Sequence, residues 1–308
     1  MRLTRRDFLG WLAGSVAAGF VPIRGLASSS SPSSPLPAGE QSGGSLRRDH
    51  RYPRRGFASF PAFADTGIYG AGTYGLPDGD LLRQALERGV RLVDTSPDYR
   101  NGTVEESVGR ALEEQSEPIF TMTQIPVAAW EGTHRRVAFH RSLRRSLGRL
   151  RRGDVEALLV RNAEPGQLRD PQFREFARDV KEHGLVRFIG ASGHGPDLEK
   201  VLELAQEDDL LEIILFGAHL GGFRKVPELL RAAHARGKIL VAMKTREAAL
   251  WNELPGWERE AERRRHIPWD GGWDPGFSRG ALEDSLRATS AQNALVSLRT
   301  GEDLALLR

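Results

Sequence analysis

From Gly67 onward the chain repeats one unit: a short, continuously apolar run, a turn, then an amphipathic stretch. "GIYGAGTYG" (67–75) predicts a strand running into a glycine loop. "DGDLLRQALERG" (78–89) predicts a helix, with Asp78 or Asp80 available as cap and Gly89 as terminator. Further strands are expected in "VRLVDT" (90–95), "PIFTMTQI" (118–125), "DVEALLV" (154–160), "VRFIGAS" (186–192), "LLEIILFGA" (210–218), "KILVAMKT" (238–245) and "NALVSL" (293–298). Helical patterns separate them, and in "TVEESVGRALEEQ" (103–115) Thr103 and Glu106 have the spacing of a capping box. The strands are apolar throughout instead of alternating, so both of their faces must be covered. Eight such units predict an α/β chain folded as a (β/α)8 TIM barrel. A doubly wound sheet would want G-x-G-x-x-G after its first strand, and Gly67, Gly70, Gly72 and Gly75 do not take that spacing.

In such a barrel the functional mouth lies at the C-terminal ends of the strands. Asp94 closes the second strand and Tyr99 sits in the loop that follows, ahead of an Asn101-Gly102 turn. Both are therefore candidate catalytic residues.

Residues 1–27 are of a different kind. "MRLTRRDFLGWLAGSVAAGFVPIRGLA" has a basic start, an apolar centre and a small-residue end, the layout of an export signal. Its apolar stretch is too short and too rich in Gly and Ala for a transmembrane span. "TRRDFL" (4–9) resembles the twin-arginine signal, which implies the twin-arginine export machinery as a partner and a periplasmic destination, or a membrane tether if the signal is retained. No stable membrane insertion is expected once it is cleaved. Residues 28–50, Ser-, Pro- and Gly-rich, cannot bury enough apolar surface to offset their ordering entropy and are expected to form a flexible linker. Residues 51–308 then form the barrel, its last helix cut short at Arg308.

Removing the signal also removes the basic excess. The whole chain carries a formal charge of +3; residues 1–27 hold four arginines against Asp7, also +3, which leaves about zero. That argues against a nucleic-acid partner, and "RRSLGRLRR" (144–152) is expected to be a solvated helix face. There are no cysteines, so disulfides, thiolate metal sites and a cysteine nucleophile are excluded. His194 and His219 lack further ligands at workable spacing, so no metal site is expected. "HIPWDGGWDPGF" (266–277), with Trp269 and Trp273, suits either a lid over a ligand or a long loop packed on the barrel.

"GAGTYGL…ALERGVRLVDTSPDYRNGTVEESVGRAL" resembles the aldo/keto reductases, as do "LGRLRRGDVEALLV", "EHGLVRFIGASGH" and "VAMKT" in the same order along the chain. The resemblance covers about residues 65–300. It implies a carbonyl reductase fed by NADPH (the NADP couple) and acting on a small carbonyl substrate through an Asp, a Tyr, a Lys and a His. Hydride arriving at a carbonyl carbon leaves charge on oxygen. A tyrosine next to an ammonium gives up its proton more easily.

Carried over residue by residue, the resemblance puts the Asp on Asp94 and the Tyr on Tyr99. Gln124, in "FTMTQIP", stands where the family has its Lys, and Arg161 or Asn162, in "LLVRNAE", where it has its His. Arg161 is positioned to return the lost positive charge or to donate to the oxyanion. For the cofactor, the resemblance and the barrel's habit of binding phosphate after its last strands point to Ser192, Lys244, Ser297 and Arg299. The alternative to an oxidoreductase with an altered proton relay is a catalytically inactive barrel that binds a nucleotide or small ligand.

Overall fold

The computed structural model describes Gly67 and residues 69–194, 197–218, 226–245 and 291–307, all within the unit Arg48–Arg308. The export signal, the linker, His219 and the Trp269–Trp273 segment lie outside the described residues. Eight strands, β1 (Tyr69–Gly72), β2 (Leu92–Asp94), β3 (Phe120–Ile125), β4 (Val155–Val160), β5 (Val186–Gly193), β6 (Ile213–Gly217), β7 (Ile239–Met243) and β8 (Asn293–Ser297), follow the expected segments. They form one closed barrel in sequence order, every neighbour parallel, with β8 returning to β1 through Ala71↔Val296 and Gly72↔Ser297. The architecture is the (β/α)8 barrel.

The helices are α1 (Gly79–Glu87), α2 (Thr103–Glu113), α3 (Arg135–Leu150), α4 (Pro165–Arg169), α5 (Pro171–Glu182), α6 (Leu198–Glu207) and α7 (Val226–Ala235). Asp78 caps α1 by accepting from the amides of Asp80 and Leu81, and Gly89 follows its end at φ 95°. The capping box expected at α2 does not form. Thr103 is already the first helical residue, Gly102 precedes it at φ 90°, and the Thr103 hydroxyl donates backwards to the Arg100 carbonyl. One helix expected between β4 and β5 becomes two, because Asp170 ends α4 and caps α5 ahead of Pro171. After β8 the chain forms a 3-10 segment, Gly301–Leu307.

Inside the barrel, Leu92, Phe120, Met122, Ala157, Leu159, Ile213, Leu215, Val241 and Leu295 pack as a dry core. They recur at every second position along their strands, as alternating side chains must. Gly70 belongs to the same interior, where a Cβ would lie 2.9 Å from both Leu92 and Leu295. The interior is thus filled, and polar chemistry is confined to its ends.

At the N-terminal end of β3 and β4 lies a buried polar knot. Arg152 donates to the Ile119 carbonyl (3.0 Å), the Thr121 hydroxyl (2.8 Å) and Glu156 (2.7 Å), while Glu156 also accepts the Thr121 amide (2.7 Å). Asp154 lies 3.6 Å from the same guanidinium. The expectation of a solvated basic face over 144–152 is therefore corrected. Arg144 and Arg145 are exposed, but Arg152 is buried and Arg149 is drawn in by the buried Glu105 at 3.2 Å. Paired carboxylates on neighbouring elements recruit these two side chains.

Candidate active site

Continuing the inward rows by one step leads from hydrocarbon to polar groups. Leu92 is followed by Asp94, Phe120 and Met122 by Gln124, and Ala157 and Leu159 by Arg161. The period of two that fills the core therefore places these three side chains in one layer at the strands' C-terminal ends. Asp94 (4% exposed) and Gln124 (2%) are buried, and the Arg161 side chain keeps 21% of its surface.

The three are joined in a chain. The Gln124 Nε2 donates to Asp94 Oδ1 at 3.2 Å, and Gln124 Oε1 accepts from Arg161 Nη1 at 3.4 Å. A side chain between a carboxylate and a guanidinium must donate on one side and accept on the other, which an amide does and an ammonium does not. Arg161 is held on its other side by Asp98, Nε to Oδ2 3.3 Å. Its guanidinium carbon lies 5.1 Å from the centre of the Tyr99 ring. Tyr74, itself exposed, meets Tyr99 edge-on at 5.3 Å between ring centroids.

Tyr99 reaches this cluster from an unusual turn. Arg100, Asn101 and Gly102 follow it in three successive left-handed conformations (φ 46°, 54° and 90°). Asn and Gly take such angles readily; Arg100 does not. The turn is buttressed from outside the barrel. The Arg149 guanidinium lies where a Cβ on Gly102 would be, 2.1 Å from its Cζ, and Glu105 ties Arg149 to the Thr123 hydroxyl (2.7 Å) on β3. Thr73 clamps the base of the site, its amide and hydroxyl both donating to the Asp94 carbonyl, at 3.2 and 2.9 Å.

Burial pushes the Asp94 carboxyl up to about 7, against the pull of the Gln124 amide and the Arg161 charge. Burial, and then the Asp94 charge, raise the Tyr99 hydroxyl above its ordinary range, with Arg161 opposing. The expectation that a neighbouring cation leaves the tyrosine proton easier to release is thus corrected: desolvation outweighs the cation. His194 is pushed down to about 4 by burial, then by Lys244 and Arg161, so it is neutral at physiological pH.

The four residues named for the cofactor stand around the same rim. Ser192 ends the inward row of β5 and is buried. Lys244 directly follows β7 with a left-handed backbone (φ 54°), which breaks the strand's alternation. Ser297 is the last residue of β8, opposite Gly72 of β1. The Arg299 side chain crosses from β8 to β1, its Cγ 2.7 Å from a Cβ placed on Gly75. The amides of Arg299 and Thr300 both donate to Asp303 Oδ2 at 2.8 Å. Asp98 and Tyr74 were not singled out in the sequence. Asp98 lies next to Tyr99 and complements Arg161 in charge, the one signal that would have found it.

The model of the aldo/keto reductase family matches residues 78–252, more than half of the chain's 308. Among solved structures the fold is similar to that of an aldo-keto reductase from Bacillus halodurans in its holo form (TM-score 0.59, 18% identity, covering 78% of this chain and 85% of that one). It is also similar to a glycerol dehydrogenase from Gluconobacter oxydans (0.57, 19%, 80% and 90%). A third is an aldo/keto reductase from Klebsiella pneumoniae in complex with NADP and acetate (0.56, 18%, 79% and 86%). With the closed eight-stranded barrel and a polar layer at the strands' C-terminal ends, the match establishes that this chain belongs to the aldo/keto reductase family, a family of oxidoreductases that use nicotinamide cofactors.

Proposed function

We propose that this protein is an NADP-dependent oxidoreductase that reduces the carbonyl of a small substrate through an altered proton relay. The observation that carries the reading is the mouth cluster, in which Tyr99 is stacked against a cation that is itself held by Asp98 and by Gln124 on Asp94. When bound, reduced nicotinamide supplies the hydride. Tyr99 gives its proton to the carbonyl oxygen; the alkoxide left by hydride arrival is a stronger base than a phenolate, so the transfer runs downhill even with the hydroxyl raised. Arg161 holds the developing negative charge. Asp94 acts through Gln124 to fix the guanidinium. The positive charge that the family carries on its third strand is here carried by Arg161 after the fourth. A lysine at 124 would face that guanidinium, so Gln124 and Arg161 form a matched pair.

The rim suits a phosphate-bearing cofactor. Ser192 offers a hydroxyl, Lys244 an ammonium beyond β7, and Ser297 with the Arg299 side chain lies beyond β8. The Arg299 and Thr300 amides are committed to Asp303, so side chains rather than these amides would hold phosphate.

A second reading, a barrel that binds nucleotide without turnover, draws on the raised Tyr99 hydroxyl. Titration with NADPH, followed by nicotinamide fluorescence and then by a panel of aldehydes and ketones, separates the two. The first reading expects binding and NADPH consumption; binding without consumption on any panel member selects the second.

We also propose that residues 1–27 direct the protein to the periplasm through the twin-arginine machinery. Changing Arg5 and Arg6 to Lys is expected to retain the precursor in the cytoplasm; unimpeded export would contradict this.

A further inference from the structure

We infer that the substrate is a 2-oxo carboxylate, seated by the remaining donors of Arg161, and that Asp98 is the residue that positions them. The inference rests on the reductase reading above and names its substrate class.

A guanidinium carries five N–H donors in a planar fork. In Arg161, Nε faces Asp98 Oδ2 (3.3 Å) and Nη1 makes a long bond to Gln124 Oε1 (3.4 Å). The Tyr99 hydroxyl also accepts from this guanidinium, so three named partners take three of its five N–H donors, and the side chain retains 21% of its surface. Asp98, Gln124 and Tyr99 fix the plane of the guanidinium and leave two N–H donors over, the number that the two oxygens of a carboxylate take.

The same guanidinium lies 5.1 Å from the Tyr99 ring centre and close enough to the hydroxyl to oppose the rise in its pKa. The proton donor and the guanidinium are therefore in contact. In a 2-oxo acid the carbonyl oxygen and the carboxylate sit on adjacent carbons, so one molecule can meet Tyr99 and Arg161 together. The surroundings favour an anion as well. Asp98 already answers Arg161, Asp94 is half protonated near neutral pH, and neutral His194 lies within the fields of both Arg161 and Lys244.

In the reaction, C2 of the 2-oxo acid accepts a hydride, two electrons and one hydrogen, from a reduced nicotinamide dinucleotide. The C2–O π pair moves onto oxygen, which takes the Tyr99 proton. A 2-hydroxy acid and oxidised nicotinamide result, and solvent returns the proton to Tyr99. The carboxylate stays on Arg161 throughout.

The test compares a 2-oxo acid with its neutral ester, pyruvate against methyl pyruvate, using the full-length protein and NADPH. The acid-to-ester ratio of kcat/KM cancels any effect on the proton relay common to both. It is expected to fall about 10- to 150-fold in Arg161→Gln. It should fall in Asp98→Asn too and recover in Asp98→Glu, with NADPH affinity unchanged in both, a pattern that a merely structural role would not give. A ratio unmoved in Arg161→Gln, with turnover of the ester by the parent, overturns the carboxylate seat and leaves the reductase reading standing. If the parent turns over neither compound, oxamate binding measured by calorimetry decides. Binding lost in Arg161→Gln upholds the seat while the reductase reading fails, and no binding to the parent overturns the seat.

Discussion

The two ends of this barrel hold polar clusters made from similar parts and finished differently. At the N-terminal end, Arg152 is 6% exposed and its bonds to Glu156, Thr121 and the Ile119 carbonyl span 2.7–3.0 Å. At the mouth, Asp94, Gln124, Arg161 and Asp98 are linked at 3.2–3.4 Å, and the Arg161 side chain keeps 21% of its surface. The first cluster is closed to solvent and turned on the protein, with the buried Arg152 Nε left without a partner. The second carries a carboxyl at about 7 and a raised phenol. Left-handed backbone occurs at both, three successive residues beside Tyr99 at the mouth and the single Arg151 beside Arg152. Polar groups that keep surface at a strand's C-terminal end mark a site for chemistry; polar groups buried against paired charges at its N-terminal end mark a support.

The sharpest way to break this contrast is to unpair the support. Arg152→Met leaves Glu156 and Asp154 buried without their cation, and is expected to cost about 3–5 kcal/mol, read as a large drop in Tm. Below its Tm, the variant's NADPH affinity should match the parent's. A loss of affinity in fully folded protein would show that the two ends are not separable.

A smaller effect is expected at the rim. Lys244→Ala removes a charge-assisted phosphate contact and should weaken NADPH binding by about 1.5–3 kcal/mol in calorimetry, with Tm nearly unchanged. Equal affinity in the two proteins would move the phosphate away from β7.

The smallest effect concerns Asp94. Its carboxyl rises from 3.8 to about 7 on folding, so between those values the native state holds a proton that the unfolded chain has released. Stability from this group therefore falls as pH rises through that window, and above pH 7 its full cost is present. Asp94→Asn removes the cost. The shift alone would amount to about 4 kcal/mol; with water at the mouth, a gain on the order of 1 kcal/mol at pH 8 is expected, vanishing toward pH 4. A variant less stable than the parent at pH 8 would mean that the carboxylate is stabilised where it sits. Protonation of Asp94 also lifts a charge that holds the Tyr99 proton back, so reduction should quicken as pH falls through about 7.

Much of this was legible in the sequence, and the limits have physical reasons. The eight strands were plain because parallel strands buried on both faces read as continuous apolar runs. Asp94, Gln124, Arg161 and Ser192 could be placed at the mouth because they end such runs. The capping box at Thr103 failed because the left-handed turn before it had already set where the helix begins, and φ is not written in side-chain spacing. Arg149 and Arg152 looked solvated because helical spacing does not reveal a buried carboxylate on a neighbouring element. The direction of the Tyr99 shift was missed for a similar reason: charge neighbours can be guessed from sequence, but desolvation depends on the packed structure.

The central claim is that the mouth's chemistry passes through Tyr99, and Tyr99→Phe tests it most directly. The variant keeps the ring under Arg161 and removes only the proton. Carbonyl reduction with NADPH is expected to fall by about 10²–10⁴-fold, with Tm and NADPH affinity close to the parent's. A Tyr99→Phe variant that consumes NADPH as fast as the parent would contradict the account.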